Sequence, residues 1–172
     1  DGILLVGRVR LEYVQLLEGK NVPFVLVDHY IPNTNVNYVL SDGRMGAYNG
    51  TQYLIDNGHR NIGLLSGPSD LVTVNEREEG FRSALDKNGI QFNPKWRLEG
   101  NFEFESGKQA MNKFLKGTKP GERPTAFFAV NDLMALGAIQ ACKDNGLGVP
   151  EDVSIMGFDN IEVSFNPGIY RS

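Results

Sequence analysis

Pro124-Thr125-Ala126-Phe127-Phe128-Ala129-Val130-Asn131-Asp132-Leu133-Met134-Ala135-Leu136-Gly137 decides the fold class. The run Ala126–Val130 is apolar without alternation, the pattern of a strand buried on both faces of a parallel sheet. Asn131 or Asp132 then offers an oxygen able to cap the backbone amides of a following helix, predicted over 132–145. Asn145-Gly146 closes that helix, since both residues tolerate the left-handed conformation needed at its end. Strand, polar turn, helix and stop are the repeating unit of an α/β fold.

The same grammar extends in both directions. Ile3–Val6, Phe24–Val27, Ile62–Leu65 and Val153–Phe158 read as further buried strands. Helices are predicted near 10–18, 43–57, 75–88 and 105–116, two of them closed by Asn57-Gly58 and Asn88-Gly89. Asn75 and Glu78 have the spacing of a capping box and predict a helix start there. The alternation predicts doubly wound parallel sheets flanked by helices. The stretch His29–Val39, with Pro32 and three asparagines, reads as a crossover between two lobes, with the boundary after residue 41. Lys116–Pro124 is a surface loop by its glycine and proline content.

Composition excludes several function classes. The 172 residues are 41% hydrophobic and 22% charged, the balance of a soluble globular protein. No apolar run nears the ~20 residues needed to span a bilayer, and the opening Asp1–Val6 lacks the basic flank of a signal peptide. A formal net charge of −4 with no basic patch argues against this chain gripping nucleic acid by itself. Cys142 is the lone cysteine, which rules out an internal disulfide and leaves no thiolate cluster for zinc. Its place within a predicted helix makes it a structural residue, and the whole suits a cytoplasmic protein. No phosphate-binding glycine loop, nucleophile elbow or zinc-binding histidine pair occurs, and His29 and His59 are the only histidines. Neither a cofactor, a metal nor a catalytic function is expected. His59 follows a helix stop, where a donor suits the exposed carbonyls.

Ligands of open α/β sheets bind outside the carboxyl ends of the strands, so the polar residues just after each apolar run carry the information. These are Asp28, Ser66, Asn131 with Asp132, and Asp159 with Asn160. Carboxylates and carboxamides at one edge suit a ligand rich in hydroxyls. Each also has a structural reading. Asn131 or Asp132 caps a helix, Asp159 begins a turn with Asn160, and Asp28 bonds backbone amides of its own loop. Arg77 falls on the face of its helix shared by Phe81, Ala84 and Leu85, where an apolar side chain is the rule. From the first turn it either clamps a ligand or pairs with Asp159 or Asp28, and the two roles are compatible. Gly80 permits close approach of that helix to a neighbour. Phe102 and Phe104 flank Glu103, and a ring here either stacks on a sugar face or belongs to the core.

Three groups of residues go beyond these generic signals. They are Tyr53–Gly63 with Gly67-Pro68, Arg77 and Gly80-Phe81; Pro124–Asp132 with Met134–Gly137; and Val149–Ile155 with Gly157-Phe158-Asp159-Asn160. In this order and spacing the chain resembles the LacI/GalR family of bacterial transcriptional repressors over nearly its whole length. The resemblance implies a periplasmic-binding-protein type I core of two lobes with an effector cleft between them. Residues 1–41 would form part of the first lobe and 42–172 a nearly complete second. Effector contacts would fall on Asp28, Arg77, Asn131 and Asp159, with Phe102 as the cleft aromatic. Purine-responsive members carry an arginine where Leu71 stands, which points toward a sugar or sugar phosphate. The helix from Asp132 would serve homodimer contacts, with Leu136 and Gln140 as interface candidates.

The sequence departs from the family in three ways. No stretch matches the helix-turn-helix head and hinge, so operator DNA would be reached only through a part outside this chain. Two strand–helix units of the first lobe are also unmatched, and Phe165–Ser172 differs from the family's proline- and threonine-rich return segment. Two other classes share the fold: a sugar-binding protein of an ABC transporter, and an α/β enzyme acting on sugars. A secretory signal would mark the first, and the want of a plausible base weighs against the second.

Overall fold

A computed structural model describes residues 1–7 and 9–162 of the chain. The expectation that rests on Phe165–Ser172 lies outside the described residues. The chain folds as two compact units, Asp1–Gly43 and the remainder from Arg44 onward.

In the first unit, β1 (Ile3–Val6), β2 (Phe24–Val27) and β3 (Tyr38–Val39) form a parallel sheet in that order, with α1 (Leu11–Gly19) connecting the first two strands. Val14 of α1 packs with Leu26, Val36 and Leu5 into a small core. The expectation of burial on both faces fails for β1, where Leu4 is 70% and Val6 72% exposed. The reason is geometric: alternate residues point to opposite faces, and the small core takes Leu5 while leaving Leu4 and Val6 outside it. The stretch read as a plain crossover also contains a strand, since Tyr38 and Val39 pair with Leu26 and Val27.

The second unit is larger. It contains α2 (Gly43–Asp56, beginning at the boundary), β4 (Ile62–Ser66), α3 (Val72–Lys87), β5 (Arg97–Glu99), α4 (Phe104–Gly117), β6 (Ala126–Ala129), α5 (Asp132–Asp144) and β7 (Ser154–Met156). The sheet order is β5-β4-β6-β7, all parallel. Every residue of β4 and β6 is buried, as their unbroken apolar runs require. Adjacent residues of β6 show helices on both faces. Phe127 meets Phe114 of α4 edge-on at 5.5 Å, while Phe128 stacks on Phe81 of α3 at 6.2 Å.

Three helix ends share one device. Gly58, Gly89 and Gly146 adopt φ of 93°, 66° and 75°. At each end the next amide reaches back six-to-one, from His59 to Leu54, from Ile90 to Leu85 and from Leu147 to Cys142. The asparagines ahead of the glycines add a bond of their own: Asn57, Asn88 and Asn145 donate their side-chain amides to the carbonyl four residues earlier, each at 2.8 Å.

Helix starts are less regular. α3 begins at Val72 rather than Asn75, because the amides of Val74 and Asn75 already bond the carbonyl of Leu71. Asn75 therefore caps nothing and donates to Ser69, while Glu78 turns toward Arg82 and Arg97. Arg77 lies in the second turn, not the first. His59 does not serve the carboxyl end of α2 through its ring, which meets the Thr125 hydroxyl at 2.9 Å. Arg60 does so instead, donating to Ile55 at 2.8 Å.

Candidate functional site at the carboxyl edge of the second sheet

β4 is the first strand of its sheet in chain order, and its successors lie on either side of it. The connections therefore reverse direction between β4 and β6, which makes their carboxyl ends a topological switch point. The chain puts Gly67 and Pro68 after β4, and Val130 and Asn131 after β6.

Arg77 reaches this point from α3. One terminal nitrogen (Nη1) donates to the Val130 carbonyl, and the other (Nη2) pairs with Asp159 Oδ1 at 3.2 Å. The guanidinium carbon lies 3.8 Å from the centre of the Phe158 ring, within cation–π range. The predicted apolar face is real, with Phe81, Ala84 and Leu85 all buried, and Arg77 retains only 13% side-chain exposure beside them. Gly80 makes the approach possible, because a Cβ there would collide with the Arg44 carbonyl at the start of α2.

Asp159 keeps 37% of its side chain exposed. With Asn160 it forms a turn of two successive positive-φ residues, at 103° and 52°. Such backbone is uncommon for non-glycine residues. The structural readings of Arg77 and Asp159 are thus both present, and neither removes the carboxylate from solvent.

Asn131 is the cap of α5. Its Oδ1 accepts from the Met134 amide at 3.1 Å, and its Nδ2 donates to the Phe102 carbonyl at 2.9 Å. Only 7% exposed, it ties the loop carrying Phe102 to the helix start. Phe102 has φ of 72°, and its ring lies against Gly67. Its backbone amide also contacts the Met134 sulfur at 3.2 Å. The 5%-exposed Asp132 accepts from the Ile161 amide at 2.8 Å, anchoring the segment after β7 to α5.

Beside this cluster, Glu78 gathers Ser66 at 3.2 Å, Arg82 at 2.7 Å and Arg97 at 3.1 Å. Burial pushes the Glu78 carboxyl upward, and the hydrogen bonds and charges of the two arginines more than reverse it, leaving it below the usual carboxylate range.

In the first unit Asp28 stands at the carboxyl end of β2 with φ of 55°. It accepts from Ser41 at 3.4 Å, and its amide donates to Val39. Leu136 and Gln140 lie on α5. Leu136 is 6% exposed, which leaves it little surface to offer a partner, and Gln140 donates to Asp144 at 2.7 Å. Sequence reasoning places Phe158 at a strand end and gives it no part in the site, although its ring carries the guanidinium. The available signal was its adjacency to Asp159. Among the described residues, no three His, Cys, Asp or Glu side chains are grouped to hold a metal ion. No described helix is long and apolar enough to cross a membrane.

A doubly wound parallel sheet with polar side chains at its switch point is an architecture that takes ligands at that edge. The periplasmic binding protein-like domain model matches residues 51–167. The HTH-type transcriptional repressor PurR of Aliivibrio fischeri is 40% identical over 97% of this chain and 50% of its own length. A sugar-binding LacI-family regulator from Escherichia coli, solved with phosphate, superposes with a TM-score of 0.78 at 31% identity, covering 94% of this chain and 58% of that one. The transcriptional regulator CelR in complex with cellobiose gives 0.80 at 36% identity, over 93% and 49%. The chain belongs to the periplasmic binding protein-like family, in the form found in the cores of LacI-family regulators. It spans about half the length of the curated relatives it matches.

Proposed function

We propose that this chain is the effector-sensing part of a cytoplasmic LacI-family transcriptional repressor and takes a small sugar or sugar phosphate at the carboxyl edge of the β5-β4-β6-β7 sheet. The observation that carries the reading is the meeting of Arg77, Asp159 and Phe158 at the switch point, with the Phe102 ring on Gly67 beside them. A guanidinium and a half-exposed carboxylate present donors and an acceptor to paired hydroxyls, and an aromatic ring suits the apolar face of a pyranose. Asn131 acts chiefly by holding the Phe102 loop in place.

In this reading the protein is not an enzyme. Effector binding shifts the balance between two states of a homodimer, with α5 at its interface through Gln140 rather than the buried Leu136, and so changes operator affinity through a DNA-binding head outside this chain. The transcriptional repressors among its relatives favour this over a transporter's binding protein. The test is operator binding by the complete regulator, measured with and without each member of a sugar panel. A sugar that changes operator affinity at least fivefold, with the change lost in Arg77→Ala, supports the reading. Operator binding that no sugar or sugar phosphate alters overturns it.

A further inference from the structure

We propose that the second unit holds another small-molecule site, at the amino edge of its sheet, shaped for an apolar amino acid bound as the zwitterion. The site is a cavity of about 220 Å³ bounded by α4, α5 and β6, where Pro124 and Thr125 lead into β6. Met111 and Phe114 of α4, Phe127 of β6, Cys142 of α5 and Val153 line it, and all five are buried. An apolar cavity of roughly 150 Å³ is enough to take up benzene, so this one accommodates a ring or a branched side chain. It is separate from the carboxyl edge, since Cys142 lies about 16 Å along α5 from the Asn131 cap.

The charged groups at this cavity are Arg123, which is half-buried, and Asp152, which is exposed. Arg123 Nε donates to the Thr118 carbonyl at 3.1 Å, and Nη2 donates to Leu115 at 2.7 Å and Thr118 at 2.9 Å. Those bonds fix the guanidinium against the end of α4 and leave Nη1 with no partner among the described residues. The charge reaches the Cys142 thiol, where it opposes the upward push of burial. At the rim, Asp152 Oδ2 accepts from the Gly148 amide at 2.7 Å, and among the described residues Oδ1 has no donor. A ligand with an apolar body, a carboxylate for Arg123 and an ammonium for Asp152 matches all three features. A fatty acid would set its anionic head beside Asp152, and a simple amine would leave Arg123 unmatched.

Methionine-methyl NMR of the chain tests this, because its methionines report on different places. Met111 lines the cavity, Met134 contacts Phe102 at the carboxyl edge, and Met45 is exposed on α2. The probes are phenylalanine, 3-phenylpropanoate (which lacks the ammonium) and phenethylamine (which lacks the carboxylate), each titrated to millimolar concentration. Phenylalanine is expected to shift the Met111 methyl and leave Met45 and Met134 in place. Phenethylamine should bind about tenfold more weakly and 3-phenylpropanoate about threefold, since Arg123 is half-buried and Asp152 exposed. Asp152→Asn keeps the shape and should remove the advantage of phenylalanine over 3-phenylpropanoate. Should that variant not fold, the wild-type series decides alone. If Met111 does not move, or if either analogue binds as tightly as phenylalanine, the proposal is overturned. A shift confined to Met134 would put the ligand at the opposite edge and overturn it as well.

Discussion

At the residue scale the molecule turns on Arg77, a charged side chain at a position where helix periodicity calls for an apolar one. It is tolerated because Asp159 supplies the charge, Val130 an acceptor and Phe158 a face. Removing it deletes charge-assisted bonds that each contribute about 1.5–3 kcal/mol. Arg77→Ala is therefore expected to lower the stability of the second unit by about 1.5–3 kcal/mol, as read by urea unfolding, and to release the Asp159 carboxylate from its place at the strand ends. Glu78 gives a prediction in pH. Its carboxyl is depressed in the folded chain, so its contribution to stability is complete above the ordinary carboxylate range and is lost as pH falls through the folded value. The difference in melting temperature between the wild type and Glu78→Gln should be largest near neutral pH and should shrink toward pH 3. Cys142 is fully buried, and burial pushes its thiol up to about 11. It should resist alkylation at pH 8 in the native chain and react promptly in denaturant. The position of Arg77 was legible from periodicity alone, because Phe81, Ala84 and Leu85 mark the buried face. The part played by Phe158 was not, since stacking between residues 81 positions apart leaves no local pattern.

At the element scale the helix ends were the most legible feature. Asn-Gly predicted three left-handed stops, and all three are present, because only a few residue types accept that backbone at low cost. The strands β3 and β5 escaped notice for a physical reason. Tyr38-Val39 is only two residues long, and Arg97-Leu98-Glu99 is an edge strand whose charged residues break any apolar run. The start of α3 was misplaced by the Asn75–Glu78 spacing, since Leu71 begins the helix with no side-chain cap. Close helix packing gives the sharpest element-scale prediction. Gly107 of α4 and Gly137 of α5 meet so tightly that a Cβ on either would collide with the other helix's backbone. Gly137→Val should lower stability by about 1–3 kcal/mol or more, measured by urea unfolding. A change below 0.5 kcal/mol would contradict the packing described.

At the scale of the whole molecule, two units carry polar residues at strand ends, on parallel sheets shared with LacI-family cores. Fold class was readable because buried parallel strands are continuous apolar runs, a signal that needs no partner to interpret. The candidate site was readable only as a set of strand-end positions. Which of those residues cap, which pair and which face solvent depends on tertiary neighbours far apart in the chain, as the use of Asn131 as a cap shows. The most direct measurement is a thermal-shift titration of the chain with sugars, sugar phosphates and purines, with Arg77→Ala beside the wild type. A ligand at a hundred times its dissociation constant adds about 2.7 kcal/mol, which raises the melting temperature by several degrees at this size. The account predicts such a rise with at least one sugar, growing with concentration and absent in Arg77→Ala. No rise with any sugar, or a rise that Arg77→Ala leaves unchanged, would contradict it.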